Sequence, residues 1–478
     1  MALFTRGGVP DRKTVFRATN YIDVTNALYA YENCNDIEKP FYLRRLIAYC
    51  IDIRNFVFMK QYIETYVERN YLLKENYQAF LVDFNKLMER IKWCLSKRNH
   101  EDIIVNWVDN ICAQDFYDTN FAKSLCDKAM FFTKAYTNTP WTHYTYRNIF
   151  LGKLPITGKT HGQITYSVNN SPLLAKLHEH NYAFRFIANP GIYQGAFPSG
   201  CDILYNDGKA DVNLAWGRGL SECSSRLQWL ALRERLRSKS ALCLWVHDFA
   251  ETHPPNGAIA LGKRTDTPMD RHAIGTKQLD EQLSFYAQFR SPRQHDVYLS
   301  DHGFHIGEAQ QKFFGDRAAH ISLIVRSPKV KPGKCQKLYS HVNFSKLIAK
   351  LLDSPGETNV EEICTDYVIG ENPDYRNVKD IMKHIDRGVI QLRFYQQIYV
   401  RTEEDVYVYY PLLNKELYYR GEDENTNLID AQEWQERIDY LRTLAPKEYI
   451  DIEKEPAFKE SKRLYDFIKK FPPEKIPW

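Results

Sequence analysis

From Ile103 onward, apolar runs of strand length alternate with stretches of helical period, and no other feature limits the possible folds so strongly. Ile103-Ile104-Val105-Asn106-Trp107-Val108, Phe184–Ala188, Ala241–Val246, Val297–Leu299 and His320–Val325 read as strands, with Thr133–Tyr136 as a shorter extended piece. Helical stretches lie among them at Phe121–Phe132, Leu173–His180, Leu220–Leu236 and Thr276–Phe289. The alternation predicts an α/β fold, a mostly parallel central sheet flanked by helices. Open sheets of this kind place ligands at the carboxyl ends of strands. Asp109-Asn110 follows the first run directly, and Ser300-Asp301-His302-Gly303 follows Val297–Leu299, so two acids and an imidazole are expected there.

The flanking segments differ in pattern. Ala27–Tyr31, Phe41–Ile53, Phe56–Val67 and Tyr77–Leu95 repeat near the helical period and predict an N-terminal helical domain over 1–98. Its helices suit binding of a protein partner, self-association, or simple cover for a catalytic domain at 99–395. Gln397–Arg401 and Val406–Tyr410 bracket Thr402-Glu403-Glu404-Asp405 as a hairpin, and Leu417–Arg420 can add a strand. With helices at Gln432–Leu444 and Glu460–Lys469, residues 396–478 read as a small antiparallel sheet with helices.

Composition excludes several functions. A net charge of +4 without an arginine-rich run argues against nucleic acid. No window approaches the length of apolar sequence a membrane span needs, and the N-terminus lacks the apolar core of a secretory signal, so a soluble cytoplasmic protein is expected. The 10 Cys include no CxxC pair, and reduced, buried thiols are the expected state.

One segment between the strands carries a second signal. In Thr139-Pro140-Trp141-Thr142, with Ile149-Phe150-Leu151-Gly152 following, Pro140 suits a helix entry and Gly152 a helix stop. Thr142 then sits in the first turn, beside free N–H groups and the positive dipole end. That setting favours a phosphate or sulfate group and a developing alkoxide; merely starting the helix is the alternative role. Asp109, Asp301, His302 and the Thr142 oxygen together make an O, O, N, O set, which suits one Mn²⁺ or Zn²⁺ better than Ca²⁺. Gly152–Thr160 has the look of a phosphate loop, but five residues separate its glycines where four are needed, and Pro155 interrupts it.

Taken in order, these stretches resemble the alkaline phosphatase/sulfatase superfamily, in the branch of sulfatases, phosphoethanolamine transferases and lipoteichoic acid synthase. Ile103–Asp109 resembles the first strand and its metal-binding acid. Phe131–Tyr136 through Thr142 to Gly152-Lys153-Leu154-Pro155 resembles the nucleophile segment. Leu244–His247 with Glu251-Thr252-His253-Pro254-Pro255 is similar to the strand and His-Pro segment, Ser300–Gly303 with Ile306-Gly307-Glu308 to the family's most recognisable signature, and Ser340–Phe344 to a later strand-to-helix segment. The resemblance covers roughly 103–445. It implies Thr142 as nucleophile, Asp109, Thr142, Asp301 and His302 as metal ligands, and His253 as a second catalytic group. His320, which resembles a phosphoethanolamine transferase position, and Arg147 on the nucleophile helix are the expected substrate contacts. Lys263, Arg264 and Arg271 are candidates for a distal part of the substrate, while His305 and His341 are expected to be structural.

Thr at the nucleophile position cannot become formylglycine as the family's Cys or Ser does. The implied activity is therefore phosphoryl transfer through a phosphothreonine, on a phosphorylated small molecule, glycan or lipid-linked substrate. Sulfate-ester hydrolysis by unmodified Thr, and a catalytically silent scaffold, are the alternatives.

Overall fold

The computed structural model describes residues 21–160, 165–188, 204–205, 208–209, 211–214, 224–248, 267–303, 312–373, 396–411, 414–421 and 423–447. Four helices open it: α1 (Tyr21–Asn33), α2 (Lys39–Asp52), α3 (Phe56–Glu68) and α4 (Lys74–Ser96). Their apolar faces, with Leu43, Leu46, Met59, Ile63 and Ile91 among them, close a cluster that also takes in Leu232, Tyr286 and Phe289. Asn55 caps α3 by accepting from the Phe58 N–H, and the Gln282 amide reaches the same Asn55 oxygen. The helical segment thus packs onto later helices of the chain through this cluster.

The central sheet comprises β1 (Ile103–Val108), β2 (Met130–Tyr136), β3 (Ala183–Ala188), β6 (Asp211–Leu214), β7 (Leu242–Asp248), β8 (His295–Ser300), β9 (Leu323–Arg326) and β10 (Gly333–Ser340); β4 (Leu204–Tyr205) and β5 (Gly208–Lys209) pair separately. Its order is β10-β2-β9-β8-β1-β7-β3-β6. All pairings are parallel except those of β9 with β8 and with β2. Between the strands come α5 (Ala113–Tyr117), α6 (Asn120–Lys123), α7 (Thr142–Leu151), α8 (Pro172–Glu179), α9 (Ser224–Arg237), α10 (Pro268–Tyr286), α11 (Asp316–Ala319) and α12 (Phe344–Asp353). The expected α/β architecture is the observed one.

β1 is buried on both faces. Ile103, Val105 and Trp107 face the main core with α7, whereas Ile104 and Val108 join clusters on the opposite side with α9 and α10. Trp107 stacks on Tyr146 of α7, ring centroids 4.5 Å apart and nearly parallel. A helix expected at Phe121–Phe132 is confined to the short α6, and β2 begins already at Met130. The reason is a period of two: Met130 and Phe132 enter the main core, while Ala129 and Phe131 enter the cluster behind it.

A second sheet, β11 (Val368–Asn372), β12 (Gln397–Arg401), β13 (Asp405–Tyr410) and β14 (Lys415–Arg420), is antiparallel throughout and is covered by α13 (Gln435–Leu444). The predicted hairpin and third strand are present. Its first strand, β11, lies ahead of the expected boundary at 395, and the helix expected at Glu460–Lys469 lies outside the described residues.

Candidate active site

β1 sits between β7 and β8, parallel to both, so the three carboxyl ends lie side by side. Each end contributes to one cluster: Asp109 after β1, His247 within the end of β7, and Asp301-His302 after β8. Asn110 adopts a φ of 59°, which Asn tolerates, and the turn aims its N–H at Asp301 Oδ1 at 3.0 Å. The His302 N–H reaches the same oxygen at 2.8 Å. Asp301 Oδ2 is buried and lacks a hydrogen-bond donor among the described residues.

His302 lies with Nε2 3.3 Å from that oxygen and 3.9 Å from Asp109 Oδ1. Its Nδ1 donates to the Gly303 carbonyl at 2.9 Å, and a carbonyl can only accept, so the Nε2 lone pair is left facing the carboxylates. Gly303 is required by close approach. A Cβ there would lie 2.0 Å from the Arg317 carbonyl oxygen, and the Gly303 N–H bonds the Ala318 carbonyl at 2.7 Å.

Thr142 arrives from the other side. Trp141 is the extended N-cap, Thr142 the first residue of α7, and Gly152 ends the helix at a φ of 62°. Pro140 therefore stands one residue ahead of the cap instead of inside the helix. The Thr142 hydroxyl lies 3.2 Å from Asp109 Oδ2 and 3.3 Å from His302 Nε2. Thr142 is partly exposed whereas Asp109, Asp301 and His302 are buried, so an incoming molecule meets the threonine oxygen above the cluster. Because Thr142 opens α7, the positive end of the helix dipole lies at the same place.

Ligating atoms of Asp109, Asp301 and His302 all fall within 4.8 Å of one another. Burial pushes the Asp109 carboxyl up to about 7, and burial followed by the Asp109 charge holds Asp301 well above the usual carboxylate range. Two buried carboxylates and an imidazole lone pair this close together fit a divalent cation, and Thr142 Oγ1 lies beside them.

His247 was not anticipated as a site residue. Its Nε2 donates to Asp109 Oδ2 at 3.1 Å, and the Tyr146 hydroxyl of α7 donates to its Nδ1. Burial pulls this imidazole down to about 3, so it is neutral, and lifts the Tyr146 phenol well above its ordinary value. The chain Tyr146–His247–Asp109 fixes one carboxylate oxygen from behind. The available signal was an imidazole directly after the apolar run Leu242–Val246; in the sheet it pairs with Trp107, two positions before Asp109.

The two expected substrate contacts are engaged elsewhere. Arg147 is buried, bonds the Thr160 carbonyl and lies over the Tyr144 ring at 4.8 Å. His320 donates from Nε2 to the Thr133 carbonyl at 2.8 Å and stacks on Tyr136. His341 meets the Asp301 carbonyl at 3.2 Å through Nε2. His253, His305, Lys263, Arg264 and the side chain of Arg271 lie outside the described residues.

β11 grips both approaches to α7. Asn372 Oδ1 accepts from Trp141 Nε1 at 3.0 Å, and the Glu371 N–H bonds the Asn138 carbonyl at 2.8 Å. The buried Glu371 carboxylate takes the Ile156 and Thr157 N–H groups and the Thr157 hydroxyl. In the loop that superficially suggests phosphate binding, these donors face an internal carboxylate.

The sequence matches no protein-family model and no curated protein. Its structure does match solved ones. A 2-O GAG sulfatase aligns with a TM-score of 0.57 at 13% identity, over 79% of this chain and 96% of that one. A phosphonate monoester hydrolase from Silicibacter pomeroyi aligns at 0.52 and 12%, over 72% and 94%. A protein solved with its substrate D-glucosamine-2-N,6-O-disulfate aligns at 0.51 and 12%, over 77% and 99%. The neighbours named here include a sulfatase and a phosphonate monoester hydrolase, and this chain shares their fold, a mostly parallel central sheet flanked by helices with a small antiparallel sheet.

Proposed function

We propose that this chain is a metal-dependent ester hydrolase or group transferase that uses Thr142 as nucleophile on phosphate esters of a glycan, a lipid-linked precursor or a small polar molecule. The observation that carries this reading is the Thr142 oxygen at the start of α7, 3.2 Å from Asp109 and 3.3 Å from His302. Mn²⁺ or Zn²⁺ held by Asp109, Asp301 and His302 would acidify the Thr142 hydroxyl and neutralise charge on the transferred group.

In this scheme the acidified Thr142 hydroxyl loses its proton to solvent as its oxygen bonds to phosphorus, and the bond to the leaving oxygen breaks. The positive end of the α7 dipole favours the charge on the phosphoryl oxygens. His253 protonates the departing oxygen. Water or an acceptor hydroxyl then gives its proton to His253 as it attacks the phosphothreonine, and the Thr142 oxygen leaves and regains a proton from solvent. His247 keeps the Asp109 oxygen oriented throughout.

The deciding experiment is acid quenching during turnover of an aryl phosphate, followed by peptide mass analysis. A phosphate on Thr142 that is absent from Thr142→Ala supports the scheme; full activity in Thr142→Ala removes it. Sulfate esters are the second reading, favoured by the 2-O GAG sulfatase and the neighbour solved with D-glucosamine-2-N,6-O-disulfate. Parallel assays with aryl sulfate and aryl phosphate separate the two.

A further inference from the structure

Away from the site, Cys335 Sγ and Cys364 Sγ lie 3.5 Å apart. Cys335 is buried in β10, and Cys364 is partly exposed directly after the 3₁₀ turn Val360–Ile363. The backbone on each side is pinned. The Thr133 hydroxyl bonds the Cys335 carbonyl at 3.0 Å, the Asn343 amide bonds the Ile363 carbonyl at 2.9 Å, and the Thr365 N–H bonds the Leu338 carbonyl at 2.9 Å. The two sulfurs therefore meet because strand and turn are tied together. Among the described residues no other two cysteine sulfurs are in contact. A covalent bond of about 2 Å requires the sulfurs to close by about 1.5 Å, within reach of side-chain rotation.

We infer that Cys335 and Cys364 are a disulfide-forming pair, a covalent modification site that staples β10 to the segment leading into β11. The oxidant is a small-molecule disulfide. The Cys364 thiolate, which solvent reaches, attacks one sulfur of the oxidant, breaking its S–S bond and releasing one thiol. The Cys335 thiolate then attacks the Cys364 sulfur and expels the second thiol. Two electrons pass from the cysteine pair to the oxidant, and the two thiol protons end on the released thiols. The loop so closed contains the His341–Asn343 turn and α12, and it ends just ahead of the strand that grips α7. The oxidised chain is accordingly harder to unfold.

The test uses the full chain treated with oxidised glutathione or with dithiothreitol, digested without reduction and mapped by mass. A cross-link between the peptides carrying Cys335 and Cys364, lighter by two hydrogens, and a melting temperature a few degrees above that of the reduced protein are expected. Cys364→Ser, at a partly exposed position, is to lose both the link and the shift. The inference is overturned if both thiols still react with N-ethylmaleimide after oxidation, if glutathione remains on Cys364 without a link, or if Cys364→Ser keeps the shift.

Discussion

Asp109→Asn is expected to stabilise the metal-free protein above neutral pH while abolishing its response to metal. Asp109 is 1% exposed, and its carboxyl is raised from 3.8 to about 7 by burial. Between those values the folded state holds a proton that the unfolded state has released. The contribution is complete below pH 3.8 and lost as pH rises through about 7. At about 1.4 kcal/mol per pH unit, the loss is of the order of 4 kcal/mol. Asp301 faces the same space and is raised partly by the Asp109 charge, so the two titrate as a pair and the substitution relieves both. The measurement is urea unfolding in a chelator at steps from pH 4 to pH 8, for wild type and variant. The wild type should lose stability relative to Asp109→Asn across this window, the variant being the more stable at pH 8. Adding Zn²⁺ or Mn²⁺ at a hundred times its dissociation constant should return about 2.7 kcal/mol to the wild type and far less to the variant. Parallel pH curves, or equal stabilisation of both proteins by metal, would refute the reasoning.

Further outcomes follow from the same geometry. Thr142→Ala should lower turnover by more than about 10³-fold with an unchanged melting temperature, measured with an aryl ester under saturating metal. His247→Phe removes the donor that orients Asp109 and should weaken metal binding by about 10- to 100-fold in a chelator competition; unaltered affinity would deny His247 this role. Gly303→Ala forces a Cβ against the Arg317 carbonyl and should cost about 3 kcal/mol or more in urea unfolding, and a change below 1 kcal/mol would show that the contact relaxes. Metal affinity should strengthen by up to about tenfold per pH unit as pH approaches 7 from below, because the Asp109 proton must leave; an affinity flat from pH 5 to pH 7 would count against Asp109 as a ligand.

The layers of the fold were legible because they rest on periods. The β1 run is apolar on both faces because helices cover both, and the α7 segment carries its stop in Gly152. What escaped the sequence has local reasons. β10 alternates exposed Lys and Gln with buried Cys335 and Leu338, which reads as a polar loop unless a neighbouring strand is known to be there. β11 includes Gly370, Glu371 and Asn372, residues that strands disfavour, and becomes a strand through pairing with β12 and the donors that Glu371 satisfies. Asp109, Asp301 and His302 could be nominated because strand ends are identifiable in sequence. His247 could not be weighed in the same way, since its partners Asp109 and Tyr146 become neighbours only once β7 lies against β1 and α7 lies over both.

That three-way contact also explains why α7 can be buried along nearly its whole length despite Tyr144, Tyr146, Arg147 and Asn148. Four of its polar side chains have a specific partner: Tyr146 on His247, Arg147 on the Thr160 carbonyl, Asn148 on the Lys153 carbonyl, and Thr145 near the Asp301 carbonyl. Helix propensity alone would not hold such a segment, because several of these side chains compete with helix formation or lose rotamer freedom there. Its register is set instead by bonds that hold only when residue 142 stands over the strand ends. A one-residue slip would break the Tyr146–His247 and Thr145–Asp301 contacts together, leaving buried polar groups at about 1 to 3 kcal/mol each. The position of the Thr142 oxygen is therefore fixed by packing: the bonds that make burial of α7 tolerable are the same ones that hold its first residue against Asp109 and His302.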